Sequence, residues 1–294
     1  MFTSRSISKS FVSVAQREGV GATVRRSIGH PMLRRLDPFL MLDEFNVQLP
    51  GGFPDHPHRG FETITYVLPH SPGKMLHEDF CGHRGELAPG DLQWMCPGRG
   101  IVHSEMPASR QEPAIGLQLW LNLPRSLKMT EPKYQEIPSK GLPRAKNGNV
   151  EAIVIAGEAM GAKSAVFTNV DMSYVHFIFS GPAKHSHPIA KDHNAFLYII
   201  SGEGSVGGQP VTAHSVVLLT ANGNEDGVTI ETATPMQCVV LSGKPINEPI
   251  EQYGPFVMTT RAELQETVQD YNLGRNGFEN AADWSSSIAE LAYK

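Results

Sequence analysis

Hydrophobic and polar residues alternate through most of this chain with the two-residue period of a β-strand. In "FETITYVL" the alternation sets Phe61, Thr63, Thr65 and Val67 on one face and Glu62, Ile64, Tyr66 and Leu68 on the other. "GLQLWLNLP" is stricter: Leu117, Leu119, Leu121 and Leu123 share one face, and Gln118, Trp120 and Asn122 share the opposite one. Successive strand side chains point to opposite sides, so this pattern predicts a strand with its leucines in a core. A Pro-Gly-Asp turn precedes Leu92 in "ELAPGDLQWM". Further strands are predicted in "VEAIVIAG", "VHFIFS", "AFLYIISG", "SVVLLT", "GVTIET" and "MQCVVLSG".

Three stretches depart from this texture. Pro124 to Asn149 is polar, with four prolines, and reads as a linker. Near the end, Thr260 and Glu263 have capping-box spacing, and Leu264, Val268 and Tyr271 then fall on one helical face. Gly274 is placed to stop that helix, and a short second helix is expected over "FENAADW". The N-terminus is serine-rich, with Arg5 and Lys9 and no acid before Glu18. That composition weakly resembles a transit peptide, but the preferred reading is a first strand over "SFVSV", and no secretory signal is visible.

The expected organisation is therefore all-β, two antiparallel barrels with a short helical end. Residues 1–130 form the first barrel, 131–149 a linker, 150–258 the second barrel and 259–294 a helical extension. Each half has a His-x-His, a following strand and glycine-rich turns, as if one barrel unit were duplicated.

Composition narrows the partners. The 294 residues suit two domains, and 40% apolar with 19% charged residues is ordinary for a globular chain. Abundant glycine (28) and proline (22) favour tight turns over long helices. A net charge of −5 provides no global attraction for DNA or an acidic membrane surface. No apolar run approaches the roughly 18 residues of a membrane span. Three cysteines, Cys81, Cys96 and Cys238, without a CxxC argue for a reducing compartment and against a disulfide framework. Arg25, Arg26, Arg34 and Arg35 form a basic cluster that fits either a partner surface or a salt-bridged, solvated face.

The candidate chemistry lies in the first half. His56 and His58 share a strand face, where two neutral imidazoles can converge on one ion. His103 and Glu105 repeat the spacing downstream, after Gly98 and Gly100, which permit a sharp turn. Three imidazoles and one carboxylate favour Fe(II), with Mn, Co, Ni or Zn possible. Glu62, four residues after His58, is an alternative carboxylate, and spacing does not choose between it and Glu105. A lone histidine is ordinarily a hydrogen-bonding residue, and His77 and His83 are read so. A His-x-His and a His-x-Glu beside turns in one half is a stronger pattern. His185 and His187 are read as polar residues at a barrel mouth without metal, since "MQCVVLSGKP", taken as the corresponding stretch, has neither histidine nor acid.

"GGFPDHPHRGFETITYVL" and "HEDFCGHRGELAPGDLQWMCPGRGIVHSEMP" closely resemble the pirin family of the cupin superfamily. So do "VGATVRRSIG", "LDPFLMLDEF", "EPAIGLQLWLNL", "GPFVMTT" and "NGFENAADW", and the resemblance runs from about Gly19 to about Trp284. It implies a bicupin, two jelly-roll barrels facing each other, with one Fe(II)/Fe(III) per chain in the first. It carries the ligand role to His56, His58, His103 and Glu105, selecting Glu105 over Glu62. Two functions follow from it: opening the ring of quercetin with dioxygen and releasing carbon monoxide, with Glu105 as base, and iron-redox-sensitive coregulation of NF-kappaB-type transcription complexes. A flavonol and transcription coregulators are the expected partners, in nucleus and cytoplasm, without sequence-specific DNA binding. The alternative is a non-catalytic, metal-stabilised cupin acting only as a protein-interaction module.

Overall fold

A computed structural model describes residues 2–293 of the chain. They form two compact units. The first comprises Ala15–Gly29, Phe39–Ser139 and the segment from Ile246 onward; the second comprises the stretch through Val14, His30–Pro38 and Lys140–Pro245.

Each unit pairs a seven-stranded antiparallel sheet with a four-stranded one. In the first, the larger sheet runs Lys133–Ile137, Leu92–Cys96, Phe61–Val67, Ala114–Asn122, Phe39–Val47, Ala22–Ile28, Ala15–Glu18. Its smaller sheet runs Phe53–His58, Ile101–Pro107, Met75–Asp79, Arg84–Leu87. In the second, the larger sheet runs Ile7–Val12, Ser215–Leu219, Asn194–Ser201, Met236–Gly243, Met172–Phe179, Val150–Ala156, Arg144–Asn147. Its smaller sheet runs Ala183–Pro188, Gly227–Thr232, Glu203–Val206, Gln209–Thr212. The strand orders match except at one edge of the larger sheets, where Lys133–Ile137 follows its sheet's other strands in sequence and Ile7–Val12 precedes those of its own. This is the doubled jelly-roll expected of a bicupin, built from open sheets rather than closed barrels.

The domain boundaries differ from the expected ones. Ile7–Val12 does not join the first barrel; it pairs antiparallel with Ser215–Leu219 at an edge of the second unit. The stretch read as a linker carries two strands. Lys133–Ile137 pairs with Leu92–Cys96, and Arg144–Asn147 pairs with Val150–Ala156. The prolines hid them: Pro132, Pro138 and Pro143 flank two short edge strands, KYQEI and RAKN, that are too short and polar for periodicity to show. The helix Arg261–Leu273 has the expected capping box and ends at left-handed Gly274. Leu264, Val268 and Tyr271 pack with Phe256 and Phe278. "FENAADW" is turn rather than helix; the last helical turn is Ala289–Ala292.

In the strand Ala114–Asn122 both faces are covered. Leu117, Leu119 and Leu121 are fully buried on one side, while Gln118 on the other reaches toward the four-stranded sheet. The face opposite the leucines thus lines the unit's interior beside Glu105.

The segment between Phe53–His58 and Phe61–Val67 is pinned by two buried cations. Arg59, 1% exposed, pairs with Asp270 of the helix at 2.9 Å and donates to the carbonyls of Arg99 and Asn276. Its guanidinium carbon lies 4.7 Å from the centre of the Phe278 ring. Gly60 has a φ of +87°, and a Cβ there would collide with the Val257 carbonyl, so only glycine fits this corner. Lys128, also 1% exposed, donates to the Gly60 carbonyl at 2.8 Å and to Asn122 at 2.7 Å.

Burial works to raise the Asp270 carboxyl, but hydrogen bonds from Arg59, Asn276 and Arg275 overcome it and hold its pKa below the ordinary value. Asp270→Ala would leave the Arg59 guanidinium buried without its counter-charge, and should cost about 3–5 kcal/mol of stability by urea unfolding. Because the folded pKa is the lower one, the wild-type contribution should be complete at neutral pH. It should be lost as pH falls below about 4, and the variant should lack that part of the acid dependence.

Candidate metal centre

The strands Phe53–His58 and Ile101–Pro107 pair so that His103 lies directly opposite His56. One extra residue on the Phe53 side then bulges the ladder, bringing Glu105 opposite Phe53. His56, His58 and His103 converge, with one ligand nitrogen of each within 4.8 Å of the others. The Nε2 atoms of His56 and His103 are 3.0 Å apart. Two nitrogens sharing one ion at about 2.1 Å each span a similar distance.

Protonation favours coordination. Nδ1 of His56 lies 2.8 Å from the Pro54 carbonyl, so the proton sits there and the Nε2 lone pair faces the cluster. Burial lowers the His56 pKa, although the residue as a whole is only half-buried. Burial, then the charge of His56, pushes His58 and His103 well below their ordinary values. All three imidazoles are neutral at pH 7.

Glu105 is buried beside them. Its Oε1 accepts from the Thr65 hydroxyl at 2.8 Å, its Oε2 from the Gln118 amide at 3.3 Å, and Oε2 lies 3.9 Å from His103 Nε2. Burial raises its pKa to about 7, against the Thr65 hydrogen bond. Glu62 is excluded by the sheet itself. It stands opposite Leu121, on the face bearing Ile64 and the leucines, while Thr63 and Thr65 occupy the face toward the imidazoles.

The residues fit a transition ion. In a side chain 1% exposed, the His58 ring turns toward the Pro255 carbonyl and keeps a ring nitrogen with no hydrogen-bond partner. Such an orphaned buried group is costly unless something binds it. Three imidazole nitrogens and a carboxylate suit iron and its neighbours in the first transition row.

Thr65 and Gln118 were not singled out as site residues. Their signal was present as polar side chains on the face opposite the leucines and on the Phe61 strand. His77 is no surface residue. It is 3% exposed, in register with Glu105, and its Nε2 lies 3.0 Å from Glu136 Oε1 without hydrogen-bond alignment. His83 is on the surface, 3.0 Å from Asp79. Phe61 and Trp120 set an aromatic wall against His58, with ring centres 5.3 and 5.4 Å away. Cys81, Cys96 and Cys238 are free thiols. Arg26 of the basic cluster is held by Asp43 and Glu18, both at 2.7 Å.

In the second unit, His185 and His187 lie on Ala183–Pro188, the counterpart of Phe53–His58 by sheet order. The counterpart of Ile101–Pro107 is Gly227–Thr232, not "MQCVVLSGKP", which lies in the seven-stranded sheet. There Ile230 stands opposite His185, where His103 stands opposite His56. The Phe177 ring packs against both imidazoles, at 4.9 and 5.2 Å.

A family model described as Pirin matches residues 21–121, and one described as Pirin C-terminal cupin domain matches residues 174–277. The chain belongs to the pirin family. Pirin of Rattus norvegicus is 50% identical over 294 residues, covering 98% of this chain and 99% of that protein. A pirin-like protein of Solanum lycopersicum is 50% identical over 287 residues, 96% of each chain. A solved quercetin 2,3-dioxygenase from Acinetobacter baumannii has a TM-score of 0.82 at 31% identity, covering 92% of this chain and 98% of that one. In this pirin-family chain the imidazole cluster lies within the stretch matched by the first family model.

With Glu105 as the fourth donor, proton competition for an ion should come from that carboxyl and not from the imidazoles. Affinity should fall by about tenfold per pH unit below 7 and level off above it, with about one proton released at pH 6. Titration calorimetry in buffers of different ionisation enthalpy measures this. Glu105→Gln should abolish the proton release and flatten the pH dependence.

Proposed function

We propose that this chain is a non-haem iron protein that opens the ring of quercetin or a related flavonol with dioxygen, releasing carbon monoxide. The observation that carries the reading is one buried cluster of three neutral imidazoles with a hydrogen-bonded carboxyl of near-neutral pKa. The likeness to the quercetin 2,3-dioxygenase from Acinetobacter baumannii supports it.

His56, His58, His103 and Glu105 would hold the iron, which supplies Lewis acidity toward a flavonol oxygen and a redox centre for dioxygen. The protein's own part is proton handling and orientation. Glu105 Oε2 can take the flavonol hydroxyl proton when it is free of the ion, because the unliganded carboxyl titrates near 7 and is matched to that task at neutral pH. Thr65 and Gln118 keep its two oxygens aimed, so no reorientation is needed when the proton arrives. Phe61 and Trp120 offer aromatic surface beside His58 for a planar ring system.

The enzyme reading is preferred to that of an inert, metal-stabilised interaction module on one ground. The likeness to a solved quercetin 2,3-dioxygenase runs over 92% of the chain at 31% identity. The iron-loaded protein should consume quercetin and evolve carbon monoxide. His56→Ala should abolish turnover, and Glu105→Gln should lower kcat by about 10²–10⁴-fold. Quercetin consumption that survives complete removal of the metal would rule the proposal out.

A further inference from the structure

The chain ends in a short strap that crosses the outer side of the four-stranded sheet bearing the imidazoles. The sequence there is "DWSSSIAEL", three consecutive serines from Ser285 to Ser287. Two acids on that sheet hold it. Asp55, next to His56, accepts from the Ser285 hydroxyl at 3.2 Å and the Ser286 N–H at 3.1 Å. Glu78, next to His77, accepts from the Ser287 N–H at 2.6 Å, the Ser287 hydroxyl at 3.1 Å and the Ile288 N–H at 3.3 Å. Beyond the latch, Ile288 and Ala292 are buried with Met106, flanked by Val20, Leu49, Leu76 and Leu291.

Ser287 is exposed, and Glu290 follows it three residues later. That spacing is shared with a helix capping box. Here it does not serve as one, because the final turn is capped at Ile288 with no side-chain bond, while Ser286 donates nothing to it and instead accepts from the Ala289 N–H. A serine with an acid three residues on is also what acid-directed protein kinases take.

We propose that Ser287 is a phosphorylation site for an ATP-dependent, acid-directed kinase, and that the phosphate unlatches the strap from the sheet. The Ser287 Oγ forms a bond to the γ-phosphorus of ATP, the bond to the β-phosphate oxygen breaks, and ADP and the hydroxyl proton leave. A hydroxyl that donated to Glu78 becomes a dianion at hydrogen-bond distance from a carboxylate, and the contact turns from attraction to repulsion. The charges around it are Glu78, Asp55, Glu290 and Arg84, the last 3.9 Å from Glu78 and already its counter-ion. Acids outnumber the guanidinium, so repulsion prevails. The Ser287 side chain is exposed and the strap is held there by a few polar bonds, so local opening presents the serine to a kinase. Its release uncovers Val20, Leu49, Leu76 and Met106.

The test is full-length protein treated with an acid-directed kinase and ATP, followed by mass spectrometry and amide hydrogen exchange. Ser287 should be modified, and the amides of residues 286–292 should then exchange at least about tenfold faster, as expected for one lost charge-assisted latch. Binding of a hydrophobic dye should rise with it. Ser287→Asp should reproduce part of the effect. Ser287→Ala, which keeps the backbone N–H bonds to Glu78, should not. Glu78→Gln should blunt the effect of the phosphate. Absence of modification at Ser287, or modification that leaves strap protection unchanged because Arg84 captures the phosphate, would overturn the proposal.

Discussion

A guanidinium buried one residue after an imidazole of the three-histidine cluster is the constraint on which the first unit depends. Arg59 cannot sit in an apolar interior alone, so the helix that supplies Asp270 and the loop that supplies the Asn276 carbonyl must dock where they do. The same corner needs Gly60 for its positive φ, and needs Lys128 to satisfy the Gly60 carbonyl. His58 therefore enters the cluster from a backbone held on both sides. Preorganisation of this kind is what lets imidazoles wait at ligand spacing instead of collapsing onto other partners.

Burial then sets the chemistry. The same loss of water that keeps His58 and His103 neutral pushes Glu105 upward, so one environment yields ready nitrogen donors and a carboxyl that can exchange a proton at neutral pH. Thr65 limits the rise by bonding the carboxylate, and Thr65 and Gln118 together fix where its oxygens point. A single descriptor, depth, thus separates the roles of residues that share a strand.

The second unit shows what happens when that environment is filled with hydrocarbon. Apart from one edge strand its sheets have the same order, and His185 and His187 keep the strand spacing. Yet Ile230 replaces an imidazole across the ladder, and Phe177 packs on both rings. Duplicated scaffolds diverge through a few inward-facing positions, because those alone decide whether the interior is a polar cluster or a packed core.

Much of this was legible in the chain itself. Two-residue periodicity located the strands, the Thr260–Glu263 pair located the helix, and His56, His58, His103 and Glu105 could be named from spacing and family resemblance. These are local properties, since periodicity within an element determines which side chains share a face. The placing of Glu62 on the sheet face away from the imidazoles, the contacts of Thr65 and Gln118 with Glu105, the burial of His77, and the membership of Ile7–Val12 in the second unit came only from tertiary structure. Each depends on pairing across tens to hundreds of residues, and such register is set by how whole sheets fit together. No local pattern reports which strand will lie beside which.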